Sequence, residues 1–228
     1  MPLVLSMNAG PKNAGGIAAL LVDIGGVLLT NGWDHASRAL AAKTFALSPE
    51  EFEGRHRLVF PLHEVGKFTL DEYLSQTVFY EKRRFTREQF REFMFAQSRP
   101  YPEMIALVRR LKARYGVKVA VVSNEGRELT LHRIRRFKLG EFVDFFVSSC
   151  FVHLRKPDPD LYKLALDLAQ TPARRTAYIE NTALFVEAAE ACGMRGILHT
   201  AYQSTRHQLA ALGLGLAGYE GTALPRSA

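Results

Sequence analysis

Apolar residues fall along this chain in two distinct rhythms. Ile17-Ala18-Ala19-Leu20-Leu21-Val22 is an unbroken apolar run that stops at Asp23 and then Gly25-Gly26, the pattern of a strand buried on both faces. Shorter runs of the same kind follow at Val117 to Val122, Phe145 to Ser148, Thr176 to Ile179 and Gly196 to His199. Helical patterns separate most of them, and strands alternating with helices predict a parallel sheet covered on both sides.

The second rhythm fills the roughly ninety residues between the first two runs. A single crossover needs about a dozen, so an inserted helical lobe is expected there. Ser48-Pro49-Glu50-Glu51, Thr69-Leu70-Asp71-Glu72 and Thr86-Arg87-Glu88-Gln89 each place a hydroxyl at a helix start with Glu or Gln three residues on, the signature of a capping box. Phe52, Phe60, Tyr73, Phe79, Phe90 and Phe93 read as the lobe's own packing. The expected organisation is a tail over 1–16, an α/β core over 17–30 and 98–212, a helical cap over 31–97, and a second tail over 213–228 that is weakly ordered or laid on the surface.

Composition narrows the partners. With 47% hydrophobic and 23% charged residues the chain carries a full core. Its net charge of +7 favours anionic ligands. The basic stretches Lys82-Arg83-Arg84 and His132-Arg133-Ile134-Arg135-Arg136-Phe137-Lys138 read as solvated faces. Neither forms a stripe with stacking aromatics, so nucleic acid is not an expected partner. Runs of about 18 unbroken apolar residues are missing, so no membrane span is expected. Met1 to Gly16 has neither the cationic start nor the apolar run of a signal peptide and reads as a loose tail. Cys150 and Cys192 stand far apart without metal-ligand spacing, which points to a reducing, cytoplasmic setting rather than a disulfide or zinc framework. Oligomeric state is not encoded in any of these features.

Four short motifs fall at or near strand ends: Asp23-Ile24-Gly25-Gly26-Val27, Ser123-Asn124, Arg155-Lys156-Pro157-Asp158-Pro159 and Glu180-Asn181. Ligands of open parallel sheets bind beyond the carboxyl ends of the strands. Taken singly, each motif has a plain structural reading as a turn, a cap or a solvated residue; Asp158 with Pro159, for instance, reads as a helix cap and first turn. In this order and spacing, over residues of about 17 to 200, they resemble the haloacid dehalogenase-like (HAD) superfamily, whose helical cap the lobe resembles in turn.

That resemblance implies a Rossmann-like, doubly wound α/β core with an inserted all-α cap. It further implies hydrolysis of a small phosphorylated substrate through an aspartyl-phosphate on Asp23. Ser123 and Lys156 would be catalytic, and Ser123, Asn124 and Lys156 would bind substrate. Mg2+ would be held by Asp23, the Gly25 carbonyl and the Glu180-Asn181 pair. The chain departs from the family at two places. Where many relatives carry a second Asp that protonates the leaving oxygen, this chain has Gly25, and general acid catalysis is typically worth ~10²- to 10⁴-fold. Where relatives carry two acids, this chain has Glu180-Asn181. Asp34, His35, His63 and Glu64 are candidates to replace the missing acid. A metal-free 2-haloacid dehalogenase, with Arg38 as the cap-side arginine, and a non-catalytic phospho-ligand or partner binder are the alternative functions.

Overall fold

The computed structural model describes residues 16–216. Five parallel strands, β1 (Ala19–Val22), β2 (Lys118–Ser123), β3 (Phe145–Ser148), β4 (Thr176–Glu180) and β5 (Arg195–Leu198), form one sheet in the order β3-β2-β1-β4-β5. Its two faces follow from the two-residue period of a strand. Leu20, Val22, Val119, Val121, Ala177 and Ile179 share one core with α5 (Pro102–Tyr115) and α10 (Tyr202–Ala211). Leu21, Ala120, Val122, Val147 and Tyr178 share the other with α8 (Pro159–Ala169) and α9 (Ala183–Ala191). The chain therefore builds outward from β1 to β2 and β3, then returns to the other side of β1 for β4 and β5. This is the Rossmann-like doubly wound arrangement, and the switch in strand order falls beside the end of β1, where Asp23 stands.

Between β1 and α5 lie α1 (His35–Thr44), α2 (Pro49–Glu64), α3 (Leu70–Thr77) and α4 (Arg87–Ala96). Their starts obey the capping chemistry in the sequence. Ser48 accepts from the Glu51 amide, and Thr69 with Glu72 and Thr86 with Gln89 complete reciprocal boxes. These helices enclose a separate aromatic core of Phe52, Tyr73, Phe90 and Trp33, to which Leu129 of α6 (Arg127–Arg136) also contributes. Trp33 meets Phe90 edge-on at 5.8 Å and donates its indole N–H to Tyr73 Oη at 2.9 Å, so it is a packing residue of the lobe.

The two chain crossings between sheet and lobe run side by side. Thr30 donates its amide to Arg99 O at 2.8 Å, the Arg99 amide donates to Thr30 Oγ1 at 3.0 Å, and Leu29 bridges Pro100. Arg133, expected on a solvated face, is instead fully buried here. It lies four residues after Leu129, on the inward face of α6 with Thr130, and that helical register outweighs the charge run around it. Its Nε donates to Ser98 Oγ at 2.9 Å and its Nη2 to Thr30 O at 3.0 Å, so one guanidinium pins both crossings to the core. The short helix α7 (Ser149–Val152) follows β3 directly.

The expected tail over 1–16 lies, apart from Gly16, outside the described residues, as does 217–228. Leu214, at the start of the expected second tail, is buried in the sheet's core at 1% exposure.

Candidate active site

Three of the motifs reach the site from the end of a buried strand, and the fourth, with Lys156, from the loop between α7 and α8. Asp23 follows β1 and is fixed by its amide, which donates to Ile179 O at 3.0 Å. The chain then turns sharply at Gly26, which has a φ of +78° and whose amide donates to Leu29 O at 2.7 Å. A β-carbon at Gly26 would come within 2.2 Å of the Asn181 amide nitrogen, so both conformation and space require glycine there. Ser123 ends β2 close to the Asp23 carboxylate, whose pKa it acts to lower. Asn124 does not face the carboxylate. It clamps the Lys156 backbone, accepting from the Lys156 amide at 2.8 Å and donating to its carbonyl at 3.0 Å. This two-point bond ties the loop after β2 to the loop ahead of α8.

Lys156 Nζ lies 3.1 Å from Asp23 Oδ1, 2.6 Å from Glu180 Oε2 and 5.0 Å from the centre of the Phe185 ring. Burial acts to lower the lysine's pKa, but Asp23 and Glu180 outweigh it and hold the ammonium charged. Burial pushes the Asp23 carboxyl up, against the pull of Lys156 and Ser123. A buried ion cluster of this kind is weak as a stabilising device because desolvation offsets most of its Coulomb gain. Perturbed groups gathered at strand ends are a mark of a working site.

Glu180 is saturated. Its Oε2 accepts from Lys156 and, at 2.7 Å, from Tyr178 Oη, while its Oε1 accepts from the amides of Asn181 at 2.9 Å and Thr182 at 3.0 Å. A carboxylate offers about four lone-pair positions, and all are taken. The open oxygens belong to its neighbours. The side-chain amide of Asn181 sets one terminal atom 3.1 Å from Gly25 O and 2.8 Å from Glu180 Oε1. As an NH2 group that atom donates to both. As the carbonyl oxygen it completes a set of facing oxygens that a cation reconciles, since magnesium held octahedrally at about 2.0–2.1 Å brings neighbouring oxygens within roughly 2.9 Å of one another. Asp23 Oδ1, two residues before Gly25, is buried and has no well-aligned hydrogen-bond donor. The donor set of Asp23, Gly25 O and Asn181 fits a hard divalent ion, with Glu180 one step behind it.

The expected replacement acids separate into two groups. Asp34 caps α1, accepting from the Ser37 amide at 2.8 Å, and His35 is exposed beside Glu53. His63 and Glu64, at the end of α2, reach the core. His63 packs against Gly126, where a β-carbon would stand 2.0 Å from its Nε2, and Glu64 pairs with Arg155 at 3.0 Å. Burial raises the Glu64 carboxyl and lowers the His63 imidazole. Arg38 lies inside the lobe, held by Glu53 at 2.7 Å and by Trp33 O at 2.6 Å. Glu125, two residues after Ser123, was not singled out by sequence and is buried in the same cleft, where Arg133 Nη1 stands 2.7 Å from its Oε1. Its only sequence signal is its place directly after the Ser-Asn strand end.

Comparison with known proteins is consistent with this geometry. A family model for haloacid dehalogenase-like hydrolases matches residues 17–193. A protein of Caldanaerobacter subterraneus subsp. tengcongensis, provisionally named pyrophosphatase PpaX, is 23% identical over 193 residues, spanning 79% of this chain and 80% of that protein. (S)-2-haloacid dehalogenase 1 of Pseudomonas sp. strain CBS-3 is 26% identical over 120 residues, 49% of this chain and 52% of its own. A HAD family enzyme of Bacteroides thetaiotaomicron, solved with magnesium and inorganic phosphate, superposes with a TM-score of 0.68 at 18% identity, covering 82% of this chain and 96% of that one. With the family match extending over most of its length, the chain belongs to the haloacid dehalogenase-like hydrolases.

Proposed function

We propose that the chain is a magnesium-dependent phosphohydrolase of small phosphorylated metabolites that works through an aspartyl-phosphate on Asp23. The observation that carries this reading is the meeting of Asp23, Ser123 and Lys156 at one buried point, beside the acceptors Gly25 O and Asn181. The PpaX relative and the magnesium–phosphate complex of the Bacteroides enzyme support the same class of substrate and ion. The free thiols of Cys150 and Cys192 fit a reducing compartment.

In this mechanism an Asp23 oxygen attacks phosphorus and the bond to the leaving oxygen breaks. Water then attacks the same phosphorus and returns the electron pair to Asp23. Ser123 hydrogen-bonds the transferring oxygens, and the Lys156 ammonium offsets the charge that a carboxylate must approach. Glu180 and Tyr178 orient that ammonium, and Asn124 fixes the backbone that carries it. Magnesium, held by Asp23, the Gly25 carbonyl and Asn181, would neutralise the phosphoryl oxygens.

The dehalogenase reading loses its cap-side arginine, since Arg38 is committed to Glu53 and Trp33 O. A panel of phosphate esters assayed with and without magnesium, alongside 2-chloropropionate, separates the possibilities. Metal-dependent phosphate release, reduced below about 1% by Asp23→Asn, is the expected result. Chloride release without metal would transfer the chain to the dehalogenases, and silence on every compound would make the cleft a binding site only.

A further inference from the structure

Gly25 leaves the phosphohydrolase proposed above without the usual donor for its leaving group, and the space around that glycine shows what stands there instead. A β-carbon built on Gly25 points at Asn31 Oδ1, 3.2 Å away, and at Arg133 Nη1, 3.9 Å away. Arg133 Nη1 is in turn 2.7 Å from Glu125 Oε1. The direction in which an acid at position 25 would extend therefore leads, through one guanidinium nitrogen, to a carboxyl group supplied by the neighbouring strand's loop. We propose that Glu125 is the proton donor for the leaving group and afterwards the base for the hydrolytic water, with Arg133 as its positioning residue. The inference rests on the Asp23 reading.

Several observations favour Glu125 over the other acids of the cleft. Its backbone is anchored, its amide donating to Ser149 Oγ at 3.0 Å, and that hydroxyl donates to Glu64 O at 2.6 Å. Its side chain has one strong partner, Arg133, and a long contact at 3.4 Å from Thr130 Oγ1. Glu180, by contrast, has every acceptor position filled. Glu64 comes from the lobe and is paired with Arg155 at 3.0 Å. Burial pushes the Glu125 carboxyl up to about 7, Arg133 opposing and the Asp23 charge adding, which suits a group that must both give and take a proton near neutrality.

The chemistry balances within the chain. As the Asp23 oxygen bonds to phosphorus, the phosphorus–oxygen bond to the leaving group breaks, its electron pair stays on that oxygen, and the Glu125 proton moves onto it to release an alcohol. In the second half, water bonds to phosphorus, its proton passes to the Glu125 carboxylate, and the bond to Asp23 breaks. Inorganic phosphate leaves and Glu125 is protonated again.

The test compares alkyl phosphates with p-nitrophenyl phosphate, whose leaving group needs no proton, in the full-length protein with magnesium. Glu125→Gln keeps the shape and the acceptor for Arg133. It should lower kcat on alkyl esters by about 10²-fold or more, at least tenfold more than on p-nitrophenyl phosphate. Adding Gly25→Asp to this variant should restore a large part of the alkyl-ester rate, because the new carboxyl would lie against the same arginine. Equal losses on both ester classes, failure of that rescue in a folded protein, or a leaving-group-selective loss in Glu64→Gln instead would each overturn the assignment. Should Glu125→Gln not fold, the wild-type protein decides. A shallow dependence of kcat/KM on leaving-group pKa supports the donor, and a steep one rejects it. Trapping of labelled phosphate on Asp23 by acid quench reads the underlying reaction independently, so loss of that signal would indict Asp23 rather than Glu125.

Discussion

At the scale of single residues, Glu180 and Asn181 divide the work that adjacent acids would share. Glu180 is filled by donors from Lys156, Tyr178 and two backbone amides, so in the proposed mechanism Asn181 is the one that would face the ion. Asn181→Asp places a second carboxylate 2.8 Å from Glu180 Oε1. The variant should be less stable than the parent in EDTA, and magnesium should raise its melting temperature more than it raises the parent's. The magnesium concentration for half-maximal phosphate release should fall about tenfold, ~1.4 kcal/mol of added affinity. Identical metal-induced shifts in variant and parent would remove Asn181 from the metal's surroundings. Asp23 and Ser123 were legible in the sequence because a strand's apolar run has a visible end, and chemistry in parallel sheets gathers at such ends; Lys156 was legible only through its motif ahead of Pro157-Asp158-Pro159 and the resemblance that motif carries. Glu125 and Arg133 were not. Arg133 sits in a run of basic residues whose exposed members, Arg135 and Arg136, disguise the single one turned inward. That register is visible only once Leu129 and Thr130 are known to face the core.

Among the elements, α2 and α3 carry a polar chain through an aromatic core. Trp33 Nε1 donates to Tyr73 Oη, and Tyr73 Oη lies 2.8 Å from His56 Nδ1. With its oxygen accepting from the indole, the tyrosine donates to a neutral imidazole, and a second proton on His56 would set two donors face to face. Burial, aided by the Arg38 charge, accordingly lowers the His56 pKa to about 4. The folded state therefore binds fewer protons than the unfolded chain between about pH 6.5 and 4, so stability is full above that window and falls as pH drops through it. Urea denaturation at pH 7 and pH 4.5 should show a loss on the order of 2 kcal/mol more in the parent than in His56→Asn. His63, also lowered by burial, adds to the slope of both proteins. A slope unchanged by the substitution would mean that His56 binds its proton equally well in the folded and unfolded states. The helix starts of this lobe were readable because capping is local, and the strands because a double-sided burial leaves no polar positions. Leu214 escaped because the short Leu-Gly alternation from Leu212 to Leu216 reads as a glycine-rich tail; it is tertiary docking beside Leu209 that buries it.

Across the whole molecule, the sheet and the helical lobe are joined by two paired crossings and one arginine. Asp23, Ser123, Lys156 and Glu180 are all nearly sealed from solvent, none above 6% exposed. Arg133 ties the two crossings together by holding Ser98 and Thr30 O at once. Arg133→Lys keeps the charge but loses the forked geometry. Hydrogen exchange of the Thr30 amide should quicken about tenfold or more, while the β1 amides keep their protection. Equal protection at Thr30 would show that the crossings close without the guanidinium. The same sealed centre has a consequence for the order in which ligands arrive. Lys156 meets two carboxylates, Asp23 and Glu180. Around that ammonium the carboxylates leave one negative charge in excess, and a phosphate dianion approaching it by itself is repelled at short range. Free phosphate should linger there only in the company of a divalent counter-ion, so that ion and anion enter, and depart, as a pair.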